Sequence, residues 1–333
     1  MDEKSGSIVA FCNPLLDMIA HVDHAQLAEL GVKAGTMNLV EADVIDKVRR
    51  RLAAVETLPG GSGANTARGF AWLNRSGTQA PPVFYGSVGG DDIGAAYIKQ
   101  LEAAGVQSGI AKKIEPSGIS LILVTPDFER TMLTHLGACR LFGEHDVDFE
   151  RVRRAKVVHL TGYMWDTDNQ RRVAERAAAE ARAAGSMISL DLADPFVVER
   201  YHDDFLSWIP GRVDLLFGNL DEFGLLCGKA ESEEALLARA AEFAPVVVMK
   251  AGARGAYVAA TGRRELVPGV KAQARDTTGA GDSFAAGYLY ALLDGRDERE
   301  CVRLGNRLAA AIVAVEGCAY GKIDTEPFAA ERG

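Results

Sequence analysis

The chain has few of the features that mark a secreted, membrane-bound or nucleic-acid-binding protein. Its five cysteines are odd in number and never form a C-x-x-C pair, which argues against a disulfide framework and a cysteine zinc site. The longest apolar runs, such as 119–124 and 246–249, are far too short to span a bilayer. The first seven residues lack the basic-then-apolar layout of a signal peptide. We therefore expect a cytoplasmic protein that makes no membrane contact and keeps its thiols reduced.

The chain also lacks an excess of positive charge, because 46 acidic residues against 37 Lys and Arg give its 333 residues a formal net charge of −9. A nucleic-acid or anionic-membrane surface would need a basic footprint, so we expect neither partner. Any bound polyphosphate must then be held by local positive groups and a metal ion. Two familiar nucleotide motifs are missing as well. No G-x-x-x-x-G-K-[ST] occurs, and no G-x-G-x-x-G follows a predicted strand, which argues against a P-loop and a dinucleotide fold.

Short apolar stretches instead alternate with helical patterns along most of the chain. Buried strands are predicted at 8–11, 83–87, 157–160, 187–190, 213–217 and 246–250. Helices are predicted at 93–104, 169–184, 233–243 and 299–316. This alternation is typical of βαβ units, so we predict an α/β fold with a doubly wound, mostly parallel sheet and helices on both faces. Ligands of such sheets bind beyond the carboxyl ends of the strands.

Two regions do not follow that rhythm. Between about 16 and 58 the elements are weak, with a short strand at 36–40 and a helix near 43–55. Between about 117 and 137 a strand pair, 118–125 and 130–135, is reversed at 126–129. We predict that both regions together form a small sheet that covers the main domain as a lid, within a single domain spanning 1–333.

The stretch from Asp276 to Phe284, Asp-Thr-Thr-Gly-Ala-Gly-Asp-Ser-Phe, opens an apolar helical pattern. Free N–H groups from 279–281 would point out of the helix N-terminus, where the helix dipole favours an anion such as phosphate. Asp282 at the mouth of an anion site then suggests a catalytic carboxylate. The alternative is a glycine-rich turn in which Asp282 is an ordinary N-cap. A second glycine-rich helix start, from Pro59 to Asn65, is either ligand-facing or a flexible turn.

Taken in order, these motifs resemble the ribokinase-like family of small-molecule kinases, also called PfkB carbohydrate kinases, and most closely its adenosine kinase branch. The resemblance covers nearly the whole chain. It rests on five ordered motifs: Asn13-Pro-Leu-Leu-Asp17, Gly60-Gly-Ser-Gly-Ala-Asn65, Gly218-Asn219-Leu-Asp-Glu222, Gly252-x-x-Gly255 and Asp276-Thr-Thr-Gly-Ala-Gly-Asp282. The family implies a doubly wound α/β domain with a small β-sheet lid, and ATP and Mg²⁺ as co-substrate and cofactor.

The resemblance also implies roles at the reacting end. Asp282 would take the proton of a substrate hydroxyl as it attacks the γ-phosphate, and Gly279, Ala280 and Gly281 would form the anion hole. At a positive helix end we expect the pKa of Asp282 to lie below its usual value. A lowered pKa makes the carboxylate a poor base by itself, which is tolerable here because phosphoryl transfer has a loose transition state and the proton can leave late. Arg130 resembles an arginine that closes over the phosphate, although a solvated hairpin charge is the alternative.

On the substrate side, the family implies that Asn13, Asp17, Gly61, Ser62 and Asn65 hold sugar hydroxyls. A nucleoside would also need a flat apolar slot for its base. Leu136 and Tyr163 are candidate walls of that slot, or plain core residues.

On the nucleotide side, the resemblance implies that Asn219 and Glu222 govern phosphate and Mg²⁺ placement, with Glu222 acting through a water. The alternative is an N-cap with its capping-box partner. The remaining ATP-binding candidates are Lys250, Gly252, Gly255, Thr278 and Asn306. Asp276 either caps a turn or helps form a monovalent-cation site, which K⁺ would occupy.

The family motifs leave the substrate open. Asn-Pro-Leu-Leu-Asp is similar to adenosine kinases, whereas Gly-Ser-Gly-Ala-Asn and the doubled Thr277-Thr278 are closer to sugar kinases. Cys12 stands where the family usually has glycine, and Lys250 where threonine is frequent. We expect phosphorylation of a nucleoside hydroxymethyl group, adenosine to AMP, with a ribose- or fructose-type sugar as the alternative. A non-catalytic sensor would have lost Asp282 or the glycines. A monomer and a homodimer are both compatible with the sequence.

Overall fold

The computed structural model describes residues 7–32, 34–52, 55–127 and 129–332 of the chain. The strands are β1 (Ile8–Phe11), β2 (Leu15–His21), β3 (Met37–Leu39), β4 (Glu56–Pro59), β5 (Val83–Gly89), β6 (Gln107–Lys113), β7 (Gly118–Val124), β8 (Arg130–His135), β9 (Val157–Thr161), β10 (Met187–Asp191), β11 (Leu215–Asn219), β12 (Val246–Lys250), β13 (Gly255–Ala260) and β14 (Arg263–Pro268). The helices are α1 (His24–Ala28), α2 (Ala42–Arg49), α3 (Ser62–Leu73), α4 (Asp92–Ala103), α5 (Phe149–Arg154), α6 (Asp168–Ala183), α7 (Pro195–Arg200), α8 (His202–Trp208), α9 (Leu220–Cys227), α10 (Glu233–Ala240), α11 (Ala280–Leu293), α12 (Glu298–Val313) and α13 (Ala329–Arg332).

The main sheet of the described residues has nine strands in the order β14-β13-β12-β11-β10-β9-β1-β5-β6. Neighbours from β12 to β6 are parallel, and β13 is antiparallel to both of its neighbours, β12 and β14. The chain winds outward from β1 through β5 to β6, then returns to β9 on the other side and continues to β12. The predicted doubly wound, mostly parallel sheet is confirmed. Its switch point lies between β1 and β9, where ligands of such sheets bind.

Helices cover both faces of this sheet because its strands are apolar on both sides. Leu216 of β11 packs into the core shared with α5 to α10, whereas Leu215 and Phe217 face the core shared with α3, α11 and α12. The Phe217 ring lies 5.3 Å from that of Tyr288 and 6.3 Å from that of Phe284, both on α11. These edge contacts fix the start of α11 above the carboxyl end of β11.

A second sheet has five strands in the order β3-β8-β7-β2-β4. The predicted pair 118–125 and 130–135 is present as the antiparallel strands β7 and β8. All five strands come from the two regions that did not fit the main rhythm, with β2 starting at Leu15 and β4 ending at Pro59. The small sheet therefore exists, and its movement as a lid stays a prediction. Phe128 of the predicted reversal lies outside the described residues.

Several element boundaries differ from prediction. The helix predicted near 43–55 ends at Arg49, and residues 53 and 54 of that prediction lie outside the described residues. The helices predicted at 233–243 and 299–316 end at Ala240 and Val313. Strands β2, β4, β6, β13 and β14 were not predicted. Most carry polar or glycine residues at partly exposed edge positions, so they lack a continuous apolar run.

Two findings concern the disulfide framework and the membrane spans that the sequence argues against. All five cysteines are free thiols, and four of them are buried. No helix in the described ranges combines the length and hydropathy needed to cross a membrane.

Candidate active site

A cavity of about 540 Å³ opens at the carboxyl ends of the main-sheet strands and is covered from one side by the small sheet. Nearly all predicted site residues line it. They are Asn13, Asp17, Gly61, Ser62, Asn65, Arg130, Leu136, Tyr163, Asn219, Glu222, Lys250, Gly252, Gly255, Thr278, Gly279, Ala280, Gly281, Asp282 and Asn306. Asp276 is the exception. The structure thus brings together side chains from both ends of the chain, from Asn13 to Asn306.

Two helices begin at this cavity. Helix α11 starts after Gly279, whose φ of +73° places it in the left-handed region. A Cβ at that position would lie 2.5 Å from the Cys318 sulfur, so only glycine fits. The first N–H groups of α11 have no partner inside the helix; that of Ala280 donates to the Thr277 carbonyl at 3.2 Å, and Gly281 and Asp282 line the cavity. Helix α3 starts beside it, directly after Gly61.

The carboxylate of Asp282 joins the two helix starts. Ser62 donates its hydroxyl to Oδ1 at 2.7 Å, and Asn65 donates Nδ2 to Oδ2 at 2.9 Å. Both donors lie in the first turn of α3, and Asp282 lies in the first turn of α11. The carboxylate is therefore held in one orientation, with its remaining lone pairs directed into the cavity.

The expected lowering of the Asp282 pKa is wrong. Burial raises the pKa of this carboxyl, and the hydrogen bonds from Ser62 and Asn65 only partly oppose that rise. The negative charge of Asp191 raises it further. The helix end supplies favourable charge, but removal from water costs the carboxylate more. The raised pKa brings Asp282 closer to the range in which a carboxylate is an effective general base.

The substrate-side loop is tightly built around Asn13. Gly61 has a φ of +92°, and a Cβ there would lie 2.2 Å from the carbonyl oxygen of Asn13. The Asn13 side-chain oxygen accepts a hydrogen bond from Gln170, and its Nδ2 donates to Asp166 at 3.4 Å. Gln170 also donates to the carbonyl of Cys139 at 3.0 Å, which fixes its orientation. Asn13 is therefore preorganised at the cavity wall.

Asp17, on β2, is a second buried carboxyl in the cavity wall, close enough to Asp282 to feel its charge. Burial and the negative charge of Asp282 raise its pKa to about 7, against the opposing charges of Arg68 and Arg130. Arg130, at the start of β8, thus acts electrostatically on the same region that it lines. The small sheet contributes both a carboxyl and a guanidinium to the cavity.

Lys250 forms an ion pair with Asp191 across the end of the main sheet. Its Nζ lies 2.8 Å from Oδ2 and 3.2 Å from Oδ1 of Asp191. Burial disfavours the lysine charge, but Asp191 and Glu222 more than offset this and raise its pKa. A Cβ on Gly281 would lie 3.1 Å from the same Nζ. The ammonium group therefore borders the α11 start, where an anion would sit.

Asn219 and Glu222 form a reciprocal capping box at the start of α9. The Asn219 side chain accepts from the Glu222 N–H, and the Glu222 carboxylate accepts from the Asn219 N–H and Nδ2, at 2.7–2.8 Å. The capping alternative is thus present, and both side chains also line the cavity. Burial raises the pKa of Glu222, against the opposing charge of Lys250.

The other nucleotide-side candidates lie at the far end of the cavity. Asn306 of α12 donates Nδ2 to the carbonyls of Val267 and Pro268 at 3.2 Å. Asp276 lies behind the cavity wall and accepts from the Thr278 N–H and hydroxyl and from the Gly317 N–H at 2.7–2.8 Å. The turn-capping alternative for Asp276 is therefore present, and its part in a K⁺ site stays a prediction.

At the opposite end the wall is largely apolar. Leu136 is buried and Tyr163 half-buried, and Leu15, Met37 and Met132 line the same region. Leu15, Met37 and Met132 belong to the small sheet, whereas Tyr163 lies in the helical turn after β9 of the main sheet. They leave a slot suited to a flat, mainly apolar group.

Several residues of this site were missed as functional candidates in the sequence. Arg68 is buried and donates to the Asn65 side-chain oxygen at 3.1 Å and to the carbonyls of Pro59 and Cys318. Asp191, the partner of Lys250, directly follows the strand predicted at 187–190, where ligands of such sheets are expected to bind, but it was not named as a site residue. Asp166 follows a short helical turn after β9 and had no motif around it.

One family of known proteins matches most of the chain. The model of the pfkB family carbohydrate kinases matches residues 31–326. The chain belongs to this family. It is accordingly a phosphotransferase that acts on an alcohol group, and kinases of the family use ATP with a divalent metal ion.

Its relatives include enzymes with different substrates. Adenosine kinase 1 of Arabidopsis thaliana is 27% identical over 341 residues, covering 95% of this chain and 96% of that protein. An ATP-dependent ribose-1-phosphate kinase of Halopiger xanaduensis is 31% identical over 261 residues, covering 78% and 81%. The crystal structure of adenosine kinase from Sinorhizobium meliloti superposes with a TM-score of 0.89 at 33% identity, covering 94% and 95%.

The donor set of the cavity suits a metal ion that arrives with ATP. No group of three or more His, Cys, Asp or Glu side chains within the described ranges could hold a metal by itself. Mg²⁺ typically keeps several waters and binds through phosphates and one or two carboxylates. Glu222, which lies near Asp191 in the cavity wall, is a carboxylate of that kind.

Replacing Gly61 with alanine should damage both stability and activity. The new Cβ would meet the Asn13 carbonyl at 2.2 Å, in addition to the strain of positive φ. We expect G61A to lower the free energy of unfolding by more than about 2 kcal/mol. The matched control is G77A, with a φ of +72° and no atom within 4 Å, which should cost about 1 kcal/mol. Equal denaturant midpoints for the two variants would contradict the expected clash between a side chain at position 61 and the Asn13 carbonyl.

Removing the Ser62 hydroxyl should change the pH dependence of the kinase. That hydroxyl stabilises the ionised form of Asp282, so S62A raises the Asp282 pKa further. If Asp282 must be ionised to react, activity falls as pH drops through its pKa. We therefore expect the acid limb of kcat/KM to move to higher pH in S62A. S283A is the control, because the Ser283 hydroxyl contacts Tyr320 instead. Matching acid limbs in S62A and the unsubstituted enzyme would refute this role.

Proposed function

We propose that this kinase transfers the γ-phosphoryl group of ATP to the hydroxymethyl group of a nucleoside, converting adenosine to AMP. One observation carries the proposal. A single cavity contains the Asp282 carboxylate at the N-terminus of α11 and the polar side chains of Asn13 and Asp17. Beyond them it contains the apolar slot beside Leu136. These three parts match the reacting hydroxyl, the ribose and the base of a nucleoside.

At the reacting end, Asp282 would accept the proton of the 5′-hydroxyl as the oxygen bonds to the γ-phosphorus. The bond from that phosphorus to the bridging oxygen breaks, and ADP leaves. The N–H groups of 279–281 would stabilise the charge on the transferring group, with Lys250 adjacent to Gly281. Arg130 would approach from the small sheet and help to exclude water. Positioning and neutralisation of charge provide most of the catalysis in such a transfer.

On the nucleotide side, Gly252, Gly255, Thr278 and Asn306 would line the ATP site, and Asn219 with Glu222 would orient its phosphates. We propose Mg²⁺ as the divalent ion, with Glu222 contacting it through a water. Bound Mg²⁺ would neutralise the β- and γ-phosphate oxygens.

On the acceptor side, Asn13, Asp17, Gly61, Ser62 and Asn65 would hold the ribose hydroxyls. The adenosine kinases among the relatives cover almost the whole chain, in support of a nucleoside. The ribose-1-phosphate kinase among them makes a phosphorylated or free sugar the competing acceptor.

A substrate panel tests the acceptor. With ATP and Mg²⁺, we expect kcat/KM for adenosine to exceed that for ribose, fructose and ribose 1-phosphate by about 100-fold or more, because only a nucleoside fills the apolar slot. Formation of AMP and ADP in equal amounts is the measurement. Phosphorylation of a sugar with no turnover of adenosine would overturn the proposal while leaving the kinase assignment intact.

Replacement of Asp282 tests the mechanism. D282N keeps the shape of the side chain but removes the proton acceptor, so we expect kcat to fall by about 10²- to 10⁴-fold. D294N is the control, because Asp294 ends the same helix and pairs with Arg296 at the surface. It should retain activity within about twofold. Turnover by D282N close to that of the unsubstituted enzyme would rule out the assigned role.

A further inference from the structure

Asp166 is a half-buried carboxyl that the proposed phosphoryl transfer does not use. It follows the helical turn Gly162–Trp165 at the carboxyl end of β9. Its side chain lines the main cavity and also a neighbouring cavity of about 300 Å³, between the small sheet and the start of α6. Asp166 therefore stands at the boundary between the two cavities.

The hydrogen bonds of Asp166 leave its oxygens available to a ligand. Asn13 donates to Oδ2 at 3.4 Å, and the Tyr201 hydroxyl donates to Oδ1 at 3.4 Å. Both bonds are near the upper limit of length. An ionised carboxylate has about four acceptor positions, so strong donors from a ligand can be accommodated on both oxygens.

A chain of contacts places Asp166 at the far end of the acceptor site. Asp282 contacts Ser62, and the preceding residue, Gly61, lies against the Asn13 carbonyl. The Asn13 side chain then contacts Asp166. Asp166 is thus separated from Asp282 by the residues proposed to hold the ribose. In a nucleoside whose 5′-hydroxyl lies at Asp282, the base would extend towards Asp166.

We propose that Asp166 selects the nucleobase by the hydrogen-bond donors and acceptors on the edge of the base. This inference rests on the proposed nucleoside kinase function. The apolar walls formed by Leu136, Met37 and Met132 contact the faces of any base alike. Thr134 also lines both cavities, but its hydroxyl pairs with that of Ser120, so the carboxyl group of Asp166 is the stronger candidate to distinguish one base edge from another.

The two protonation states of Asp166 suit different purines. Ionised, it accepts two hydrogen bonds, which matches N1–H and the 2-amino group of guanine. Protonated, it offers one donor and one acceptor, which matches N1 and the 6-amino group of adenine. Adenosine therefore pairs with the protonated form and guanosine with the ionised form.

The surroundings of Asp166 allow both forms near neutral pH. Burial raises its pKa to about 7, and the positive charge of Arg200 opposes that rise. Below that pH the protonated form predominates, and above it the ionised form. The other titratable or charged groups that face it or line the adjoining cavity are Asp194, Tyr201, Glu41, His135 and Arg140.

The test compares two nucleosides in one enzyme. We expect the ratio of kcat/KM for adenosine to that for guanosine to fall by well over tenfold, and by up to about 300-fold, from pH about 6 to pH about 8.5, because the ratio of protonated to ionised carboxyl falls tenfold per pH unit. Protonation of Asp282 or Asp17 cancels in this ratio, because both residues act on the part that the two nucleosides share. A ratio that does not change with pH would overturn the inference.

Substitution gives the second arm. The side-chain amide introduced by D166N offers a donor and an acceptor at every pH, so it imitates the protonated acid. We expect D166N to retain adenosine turnover, to lose guanosine turnover by about 10- to 100-fold and to show a pH-independent ratio. D168N, two residues away and exposed, is the charge-matched control. If the role of Asp166 were purely structural, D166N would lower the turnover of both nucleosides equally, and that result would overturn the inference. If the enzyme phosphorylates a sugar but no nucleoside, the proposed function itself is overturned.

Discussion

The hydrogen bonds from Ser62 and Asn65 to Asp282 are the constraint on which the site depends. They bring the N-termini of α3 and α11 together, so that two positive helix ends meet at one carboxylate. The orientation of Asn65 is fixed from behind, because Arg68 donates to its oxygen and leaves the amide nitrogen to face Asp282. The main sheet forms the floor of the cavity, but this small network determines where the Asp282 carboxylate lies and which of its lone pairs remain available.

Much of this arrangement was predictable because its signals are local. Glycines before Ser62 and Ala280 mark helix starts that need positive φ or close approach, and both are visible in a few letters of sequence. Consecutive apolar residues in the central strands mark a sheet buried on both faces. The rule that ligands bind at the carboxyl ends of such strands then places Asn13, Tyr163 and Asn219 at one edge, without knowledge of strand order.

The rest of the site could not be predicted, because it depends on contacts between distant parts of the chain. Asp191 and Lys250 are 59 positions apart, and Arg68 and Cys318 are 250 apart, so no local pattern could pair them. Strand β2 was missed because Asp17 interrupts its apolar run, although that aspartate faces the cavity. The pKa of Asp282 was predicted in the wrong direction for the same reason. The helix end is visible in the sequence, whereas the burial that outweighs it is a property of the assembled fold.

The charge balance of the cavity follows from that burial. Among the described residues, six acidic side chains line it, Asp17, Asp166, Asp191, Asp194, Glu222 and Asp282, against the basic Arg130 and Lys250. A polyphosphate would be repelled if all six were ionised, yet Lys250 neutralises Asp191, and burial raises the pKa values of Asp17, Asp166 and Glu222. Protons held by these groups reduce the negative charge without any need for more basic residues in the cavity wall.

The negative charge of one of the two carboxylates, Asp282 and Asp17, raises the pKa of the other. When Asp17 carries a proton, this repulsion is absent and Asp282 ionises more easily. The acidic composition of the chain is therefore compatible with a phosphate site, provided that helix N-termini, Lys250 and the metal ion that accompanies ATP lie at the point where the phosphates enter.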